Sequence, residues 1–209
     1  YKLAVFMLLL VQMFRMAWQP FFLRHSDDPE APRLYSEVFR YFNFVAGVVL
    51  LGVALFVNQI VQIRIPFTDA YIIGEEFWMG LNIVPILLGA YWFQGWYMNF
   101  SAGIFIQEET RILPRITLIG ATITIVANLI LIPYFGMMGS AFATLLSYVS
   151  MAYLLYRHSQ SVYPVPYDMS RAIAILAIAA FLILLHPTLS AWAGSEWISG
   201  LLLLLTGTA

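Results

Sequence analysis

The sequence predicts an all-α fold, a polytopic bundle of about seven transmembrane helices, and three observations support this prediction. Of the 209 residues, 62% are hydrophobic and only 10% are charged, whereas soluble domains carry about 25% charged residues. The mean hydropathy of the chain is +0.83. The apolar residues also gather into segments of roughly 20, which is the length that a helix needs to cross a bilayer. We therefore expect a multi-pass protein whose solvent is lipid.

Seven segments reach or approach the length of a membrane span: about 1–23, 36–63, 77–106, 112–132, 137–156, 170–186 and 196–209. Pro85 lies inside the third segment and predicts a kink there, and Pro133 is expected to end the fourth. The chain begins with Tyr1 and stops at Ala209 inside an apolar run. We therefore expect residues 1–209 to be a single transmembrane domain fragment with both ends missing, the seventh span being truncated.

The basic residues are distributed unevenly between the two sets of loops. The odd-numbered loops and their helix ends carry seven of the ten: Arg24, Arg33, Arg40, Arg111, Arg115, Arg157 and Arg171. The opposite side carries only Lys2 and Arg64, and Arg15 lies within the first span. Because cytoplasmic loops are enriched in Lys and Arg, the odd loops are predicted to be cytoplasmic, with the start of the chain outside.

Several classes of function are disfavoured by composition. There are no cysteines, which excludes disulfides and thiol chemistry, and the net charge of −1 does not suggest a nucleic-acid partner. The three histidines are scattered over loops and helix ends, and no pair of titratable residues has a spacing that implies catalysis. We therefore expect no enzyme, no catalytic residue, no metal and no cofactor.

Gln12, Arg15 and Gln19 are the strongest candidates for a functional site. Offsets of three and seven residues place their side chains on one face of the first helix. Burying an arginine in the hydrocarbon core costs about a few kcal/mol or more, so Arg15 is expected to face a water-filled cavity or a partner group. A guanidinium suits an anionic headgroup because it binds phosphate oxygens bidentately. The alternatives are a structural arginine bonded to carbonyl oxygens and an arginine whose side chain reaches the membrane interface.

Amides are spread along the other spans, where they usually bond neighbouring helices. Asn82 and Gln94 lie well inside the third predicted span, and we expect them to face the same cavity. Aromatic residues flank several spans, which is typical of interfacial belts; examples are Trp18, Tyr35, Trp92, Trp96, Tyr97 and Tyr134.

The fourth and fifth spans form a hairpin that carries the most specific motif. Its sequence from Asn128 to Thr144 reads Asn-x4-Pro-x-Phe-Gly-x-x-Gly-Ser-Ala-x-Ala-Thr. Gly136 permits a tight reversal, and Gly139, Ala143 and Ser147 recur every fourth residue, which predicts a seam for close helix packing.

This hairpin resembles the motif of the polysaccharide-biosynthesis flippases, which belong to the multidrug/oligosaccharidyl-lipid/polysaccharide (MOP) exporter superfamily. The segments Pro85–Gly89 with Gly95–Tyr97, and Trp18–Pro20, are similar to the family's tenth helix and to the end of its eighth. The resemblance implies that the chain is the second lobe of a 12–14-helix transporter working by alternating access. Few acidic residues lie within the spans, so no proton or sodium site is visible.

The expected function is therefore to flip lipid-linked oligosaccharides, of the undecaprenyl-pyrophosphate type, across the bacterial inner membrane for polysaccharide or lipopolysaccharide synthesis. The family implies polysaccharide polymerases and glycosyltransferases as partners. Two alternatives stay open: a multidrug cation antiporter of the same superfamily, which a membrane-embedded carboxylate would favour, and a membrane-embedded glycosyltransferase or acyltransferase.

Overall fold

The computed structural model describes residues 2–63, 71, 74–193, 201 and 204–205, and every element in this part is helical. The seven α-helices are α1 (Val5–Arg24), α2 (Ala31–Leu55), α3 (Val57–Val61), α4 (Val84–Ile106), α5 (Ile112–Phe135), α6 (Met137–Val162) and α7 (Met169–Ala193). Short 3₁₀ segments, Lys2–Ala4 and Glu75–Ile83, precede α1 and α4. The all-α prediction is thus confirmed, whereas the seventh predicted span, 196–209, falls almost wholly outside the described residues.

Five helices are long and apolar enough to cross a membrane: Val5–Arg24, Ala31–Leu55, Ile112–Phe135, Met137–Val162 and Met169–Pro187. Large apolar side chains on their outer faces are exposed, among them Leu118 and Leu129 of α5, at 68% and 73%. Such surface is unfavourable in water but is the expected covering of a helix that faces lipid. The prediction of a helical membrane protein is confirmed at this level.

Helix boundaries differ from the predicted ones: α5, α6 and α7 are longer, and the second predicted span, 36–63, is divided at Phe56 between α2 and α3. Pro133 does not end α5, which continues to Phe135, and α7 likewise runs through Pro187. A proline near the end of a transmembrane helix removes one backbone bond, a loss that such helices tolerate. The second helix begins at Ala31 instead of Ser36, with a proline in its first turn, and the fifth predicted span continues from Tyr156 to Val162.

The third predicted span is divided where Pro85 predicts a kink, since a 3₁₀ segment gives way to α4 at Val84. α4 lies at the centre of the bundle and packs against α1, α2 and α6. Its buried residues include Leu87, Trp92 and Phe100. Because neighbouring helices cover it, α4 carries tryptophans, tyrosines and amides in place of a continuous aliphatic surface.

A buried amide fixes α2 to α4. The Asn43 Oδ1 atom accepts hydrogen bonds from the indole nitrogens of Trp92 and Trp96, at 2.8 and 2.7 Å, and its Nδ2 donates to the Phe39 carbonyl oxygen. Both indoles are at least 95% buried, as are Trp18 and Tyr35. The interfacial-belt interpretation is therefore wrong for these four rings, which pack inside the protein.

Replacing Asn43 by leucine is expected to lower the free energy of unfolding by about 2 kcal/mol, because two buried indole N–H groups lose their acceptor. Asn128→Leu is the matched control. Its Oδ1 atom is buried and accepts no hydrogen bond from the described residues, so its removal is expected to be neutral or stabilising. Equilibrium unfolding in detergent measures both, and equal losses would contradict the role assigned to Asn43.

The predicted α5–α6 hairpin is present, and one glycine makes its turn. Gly136 adopts a φ of +54°, which favours glycine, and its N–H donates to the Ile132 carbonyl oxygen at 2.8 Å. Gly139, Ala143 and Ser147 are all buried along the seam. The Ser147 hydroxyl donates to the Gly120 carbonyl oxygen of α5 at 2.8 Å. The small-residue seam is therefore confirmed.

The three odd-numbered loops, 25–30, 107–111 and 163–168, lie at one end of the bundle, hereafter the basic end. The Ser36 hydroxyl of α2 donates to the Pro166 carbonyl oxygen, at 2.6 Å, which joins the first loop to the fifth. The rings of Phe22 and Phe105 stack with centroids 6.0 Å apart, which brings the third loop alongside. Six of the seven basic residues of the sequence prediction lie within about five residues of this end, and Arg40 lies nine residues into α2.

Asp168 marks the start of α7 at the basic end. Its carboxylate accepts from the Ser170 hydroxyl at 2.7 Å and from the Arg171 N–H at 3.1 Å, and it pairs with the Arg171 guanidinium at 2.9 Å. The Ser170 hydrogen bond, with help from Arg171, lowers the pKa of this exposed carboxyl. The residue therefore caps the first turn of the helix.

Candidate functional site

A pocket with a volume of about 240 Å³ opens between α1, α4 and the start of α5. We call it the cationic pocket, since one of its walls carries Arg15. Its lining comprises Arg15, Trp18, Gln19, Phe22, Tyr97, Met98, Ser101, Phe105 and Leu113. The three-residue, four-residue and seven-residue offsets along α1 bring Trp18, Gln19 and Phe22 to the same wall as Arg15.

Arg15 is exposed at this pocket, nine residues before the end of α1 at Arg24. At 1.5 Å per residue it stands roughly 14 Å from the basic end of its helix. Within the described part of the chain its guanidinium has no hydrogen bond and no ion pair. Five N–H donors are therefore available to a ligand at this depth.

A buried donor adds to the guanidinium. The Trp18 indole N–H is shielded from solvent and has no hydrogen-bond acceptor among the described residues. Its ring is held by Phe14 and Phe21, which stack on it at 5.5 and 5.7 Å between centroids. No carboxylate lines this pocket. The cationic pocket therefore combines a guanidinium with uncharged polar groups and has no counterion of its own.

A larger pocket, of about 440 Å³, adjoins it between α4, α5 and α6. We call it the hydroxyl pocket, because its polar groups are uncharged alcohols, phenols and an amide. The lining residues are Gln94, Tyr97, Met98, Thr117, Gly120, Ala121, Thr124, Thr144, Ser147, Tyr148 and Met151. Gln94 lines this pocket, and its Oε1 atom is shielded from solvent without a hydrogen-bond donor from the described residues.

The two pockets adjoin along α4, since Tyr97 and Met98 line both, and we call the pair the groove. Ser101 of the cationic pocket lies five residues before the end of α4 at Ile106, and Gln94 of the hydroxyl pocket lies 12 residues before it. These offsets correspond to roughly 8 and 18 Å along the helix. The hydroxyl pocket is therefore farther from the basic end than the cationic pocket.

Three of the five predicted site residues line this groove, namely Arg15, Gln19 and Gln94. Gln12 is half-buried on α1 and lies outside the lining of both pockets. Asn82 is exposed in the 3₁₀ segment one residue before its end, at the end of the bundle opposite to the basic end. The structure thus brings Arg15 and Gln19 together and puts Gln94 in the neighbouring pocket.

Sequence reasoning missed most of the hydroxyl pocket. Thr117 and Thr124 come from α5, Thr144 and Tyr148 from α6, and Tyr97 from α4. They are scattered among the apolar residues of three helices, and no motif joins them. A signal existed in the spacing of Thr117 and Thr124, which are seven residues apart and share a helix face, but their common pocket depends on how three helices pack.

Comparison with known proteins gives no further guidance, since no family model, curated protein or solved structure matches this chain.

Proposed function

We propose that this chain is the second lobe of a MOP-type transporter that flips lipid-linked oligosaccharides across the bacterial cytoplasmic membrane by alternating access. The observation that carries the proposal is Arg15, whose guanidinium lines a groove without any partner from the described residues. An arginine at this depth of an apolar helix needs water or an anion as its partner. A groove that holds a hydrated cation is an expected feature of a path for an anionic cargo.

The positive charge of the lining favours a phosphate-bearing cargo over a cationic drug. Arg15 supplies N–H groups, and no carboxylate lines either pocket. A cation in this groove would meet a like charge without a counterion, which is unfavourable in a low dielectric. A diphosphate would instead accept charge-assisted hydrogen bonds, which are about twice as strong as neutral ones.

The proposal includes the membrane topology. α4 has 23 residues and no charged side chain, so we count it as a span with the five helices that meet the hydropathy threshold. The basic end carries six of the seven arginines and is assigned to the cytoplasm. A membrane-impermeant thiol reagent added to intact cells should therefore leave Thr110→Cys unlabelled until the membrane is permeabilised. Labelling of intact cells would reverse the assigned orientation.

Lipid flipping by the intact protein in proteoliposomes is the direct test of the proposal. Undecaprenyl-diphosphate-linked oligosaccharide is placed in one leaflet, and its arrival in the other is followed with a membrane-impermeant glycosidase. Faster arrival than in protein-free vesicles is expected. Absence of flipping together with efflux of ethidium would favour the cation antiporter, and sugar transfer without translocation would favour an enzyme.

A further inference from the structure

We propose that the hydroxyl pocket binds the uncharged sugar of the cargo, beside the site where Arg15 holds its anionic group. This inference rests on the proposed function, since it assumes that the groove carries a lipid-linked saccharide. It divides the groove into a site for the sugar and a site for the anionic group, and it therefore specifies the orientation of the bound cargo.

The lining of the hydroxyl pocket selects a neutral ligand. None of its side chains is charged at neutral pH, so an ion bound there would lose its hydration without gaining a counterion. The polar groups are alcohols, phenols and one amide, interspersed with Met98 and Met151. A pocket of this volume, apolar in part with a few convergent polar groups, is typical of sites for small molecules.

The hydrogen bonds that the pocket's hydroxyl groups already make limit the kind of ligand further. The hydroxyls of Thr117, Thr124 and Thr144 donate to carbonyl oxygens one turn earlier in their own helices, at 2.9–3.0 Å. Ser147 donates across to α5. These four donors are therefore occupied, while the oxygen lone pairs are left as acceptors.

Gln94 also has an unpaired hydrogen-bond acceptor. Its buried Oε1 atom is an acceptor without a donor among the described residues, and such an atom destabilises a structure unless a ligand or water supplies the missing bond. With the amide turned toward the pocket, this oxygen and the threonine oxygens accept from a ligand that carries many O–H donors, which describes a saccharide. The rings of Tyr97 and Tyr148 add flat apolar surfaces, on which the C–H faces of a pyranose can stack.

The two pockets differ in charge. The cationic pocket presents the five N–H donors of Arg15 and suits an acceptor-rich phosphate. The hydroxyl pocket presents uncharged hydroxyl, phenol and amide groups, which both donate and accept, and suits a polyol. A sugar diphosphate carries a polyol next to a phosphate, in the same way that the two pockets lie next to each other at Tyr97. The sugar is therefore assigned to the deeper position and the diphosphate to the position nearer the basic end.

The occupant that competes with a sugar is an apolar one, either an acyl chain or a side chain from another part of the transporter. Such an occupant would leave the Gln94 oxygen unpaired in a low dielectric. It would also predict that replacing Gln94 by leucine improves the fit, so the two occupants give opposite results for the same variant.

The test measures binding to the purified intact protein with two probes: undecaprenyl diphosphate, and the same lipid carrying the complete oligosaccharide, extracted from the cells that make the protein. Gln94→Leu is expected to weaken binding of the glycosylated lipid about tenfold, because one hydrogen bond to a buried acceptor is lost. Binding of the bare lipid should be unchanged. Arg15→Ala should weaken binding of both lipids.

Thr124→Val gives a second, nearly isosteric variant, with an expected loss of about threefold for the glycosylated lipid alone. Thr122→Val is its matched control, since Thr122 makes the same hydrogen bond one turn back, at 2.9 Å, but lies outside the pocket. The thermal unfolding temperature of every variant is measured to check that it folds, and Gln94→Leu should not lower that temperature.

The outcomes separate the two proposals. One contrary result is that Gln94→Leu and Thr124→Val reduce binding of both lipids equally or of neither, while Arg15→Ala still reduces binding of both. In that case the sugar site is wrong and the proposed function stands. If the wild-type protein binds the two lipids equally well, the sugar site is also wrong. If it binds neither lipid, the proposed function fails.

Discussion

Arg15→Ala in the intact protein is expected to reduce polysaccharide export at least about 30-fold while leaving membrane abundance normal. The loss follows because removing one partner of a desolvated charge pair typically costs about 2–5 kcal/mol. Abundance should be unaffected, since Arg15 is exposed and makes no hydrogen bond or ion pair with the part of the chain that the structure describes. Export is measured as surface polysaccharide in a strain that lacks the chromosomal copy.

Two further variants sharpen this prediction. Arg24→Ala removes an exposed arginine from the same helix, outside the lining of both pockets, and export should stay near the wild-type level. Arg15→Lys keeps the charge but loses the planar fork. Partial activity would indicate that a point charge suffices, and inactivity would indicate bidentate binding. Wild-type export by Arg15→Ala would remove Arg15 from the site.

Gly139→Ala is expected to destabilise the protein by about 3 kcal/mol, at the upper end of the usual effect of overpacking. A Cβ atom at this position would lie 2.6 Å from the carbonyl carbon of Leu131, closer than such atoms approach in proteins, and 3.0 Å from the Ile132 nitrogen, which is also a tight contact. Both are backbone atoms of α5, next to the turn at Gly136. The backbone cannot turn aside as a side chain can, so α5 and α6 would have to separate.

Gly89→Ala provides the control for Gly139→Ala, since a Cβ atom at Gly89 meets nothing within 4 Å. Gly89 lies in the interior of α4, where alanine stabilises a helix by up to about 1 kcal/mol relative to glycine. The two substitutions are therefore expected to have opposite signs in the same unfolding experiment. A neutral or stabilising Gly139→Ala would contradict the close packing of the hairpin.

The sequence predicted those parts of the fold that depend on local pattern. Apolar length predicted the helices, and the Gly139–Ala143–Ser147 repeat predicted the packed seam. Helix boundaries were harder to predict, because proline and polar residues were taken as the ends of helices. α6 continues past Arg157 since later residues are fixed by the bundle: Ser159 is fully buried, and the Gln160 amide donates to the Val165 carbonyl oxygen at 2.8 Å.

The candidate site was only partly predictable, for a similar reason. Arg15 was identified because a charge on an apolar helix is conspicuous in any sequence. Trp18 was assigned to an interfacial belt because an indole suits both a belt and a core, and only the rings that surround it distinguish the two. The hydroxyl pocket joins residues of α4, α5 and α6, and no periodicity within one helix specifies how three helices meet.

Cysteine labelling of the groove tests most directly whether it contains water. The chain has no cysteine of its own, so single cysteines can be introduced at Gln19 in the groove and at Leu129, which is 73% exposed on the apolar face of α5. Thiols react as thiolates, which do not form in hydrocarbon. A charged methanethiosulfonate should therefore modify Gln19→Cys rapidly and Leu129→Cys hardly at all. Equal, slow modification at both positions would mean that Arg15 faces lipid or packed protein instead of a path for an anionic cargo.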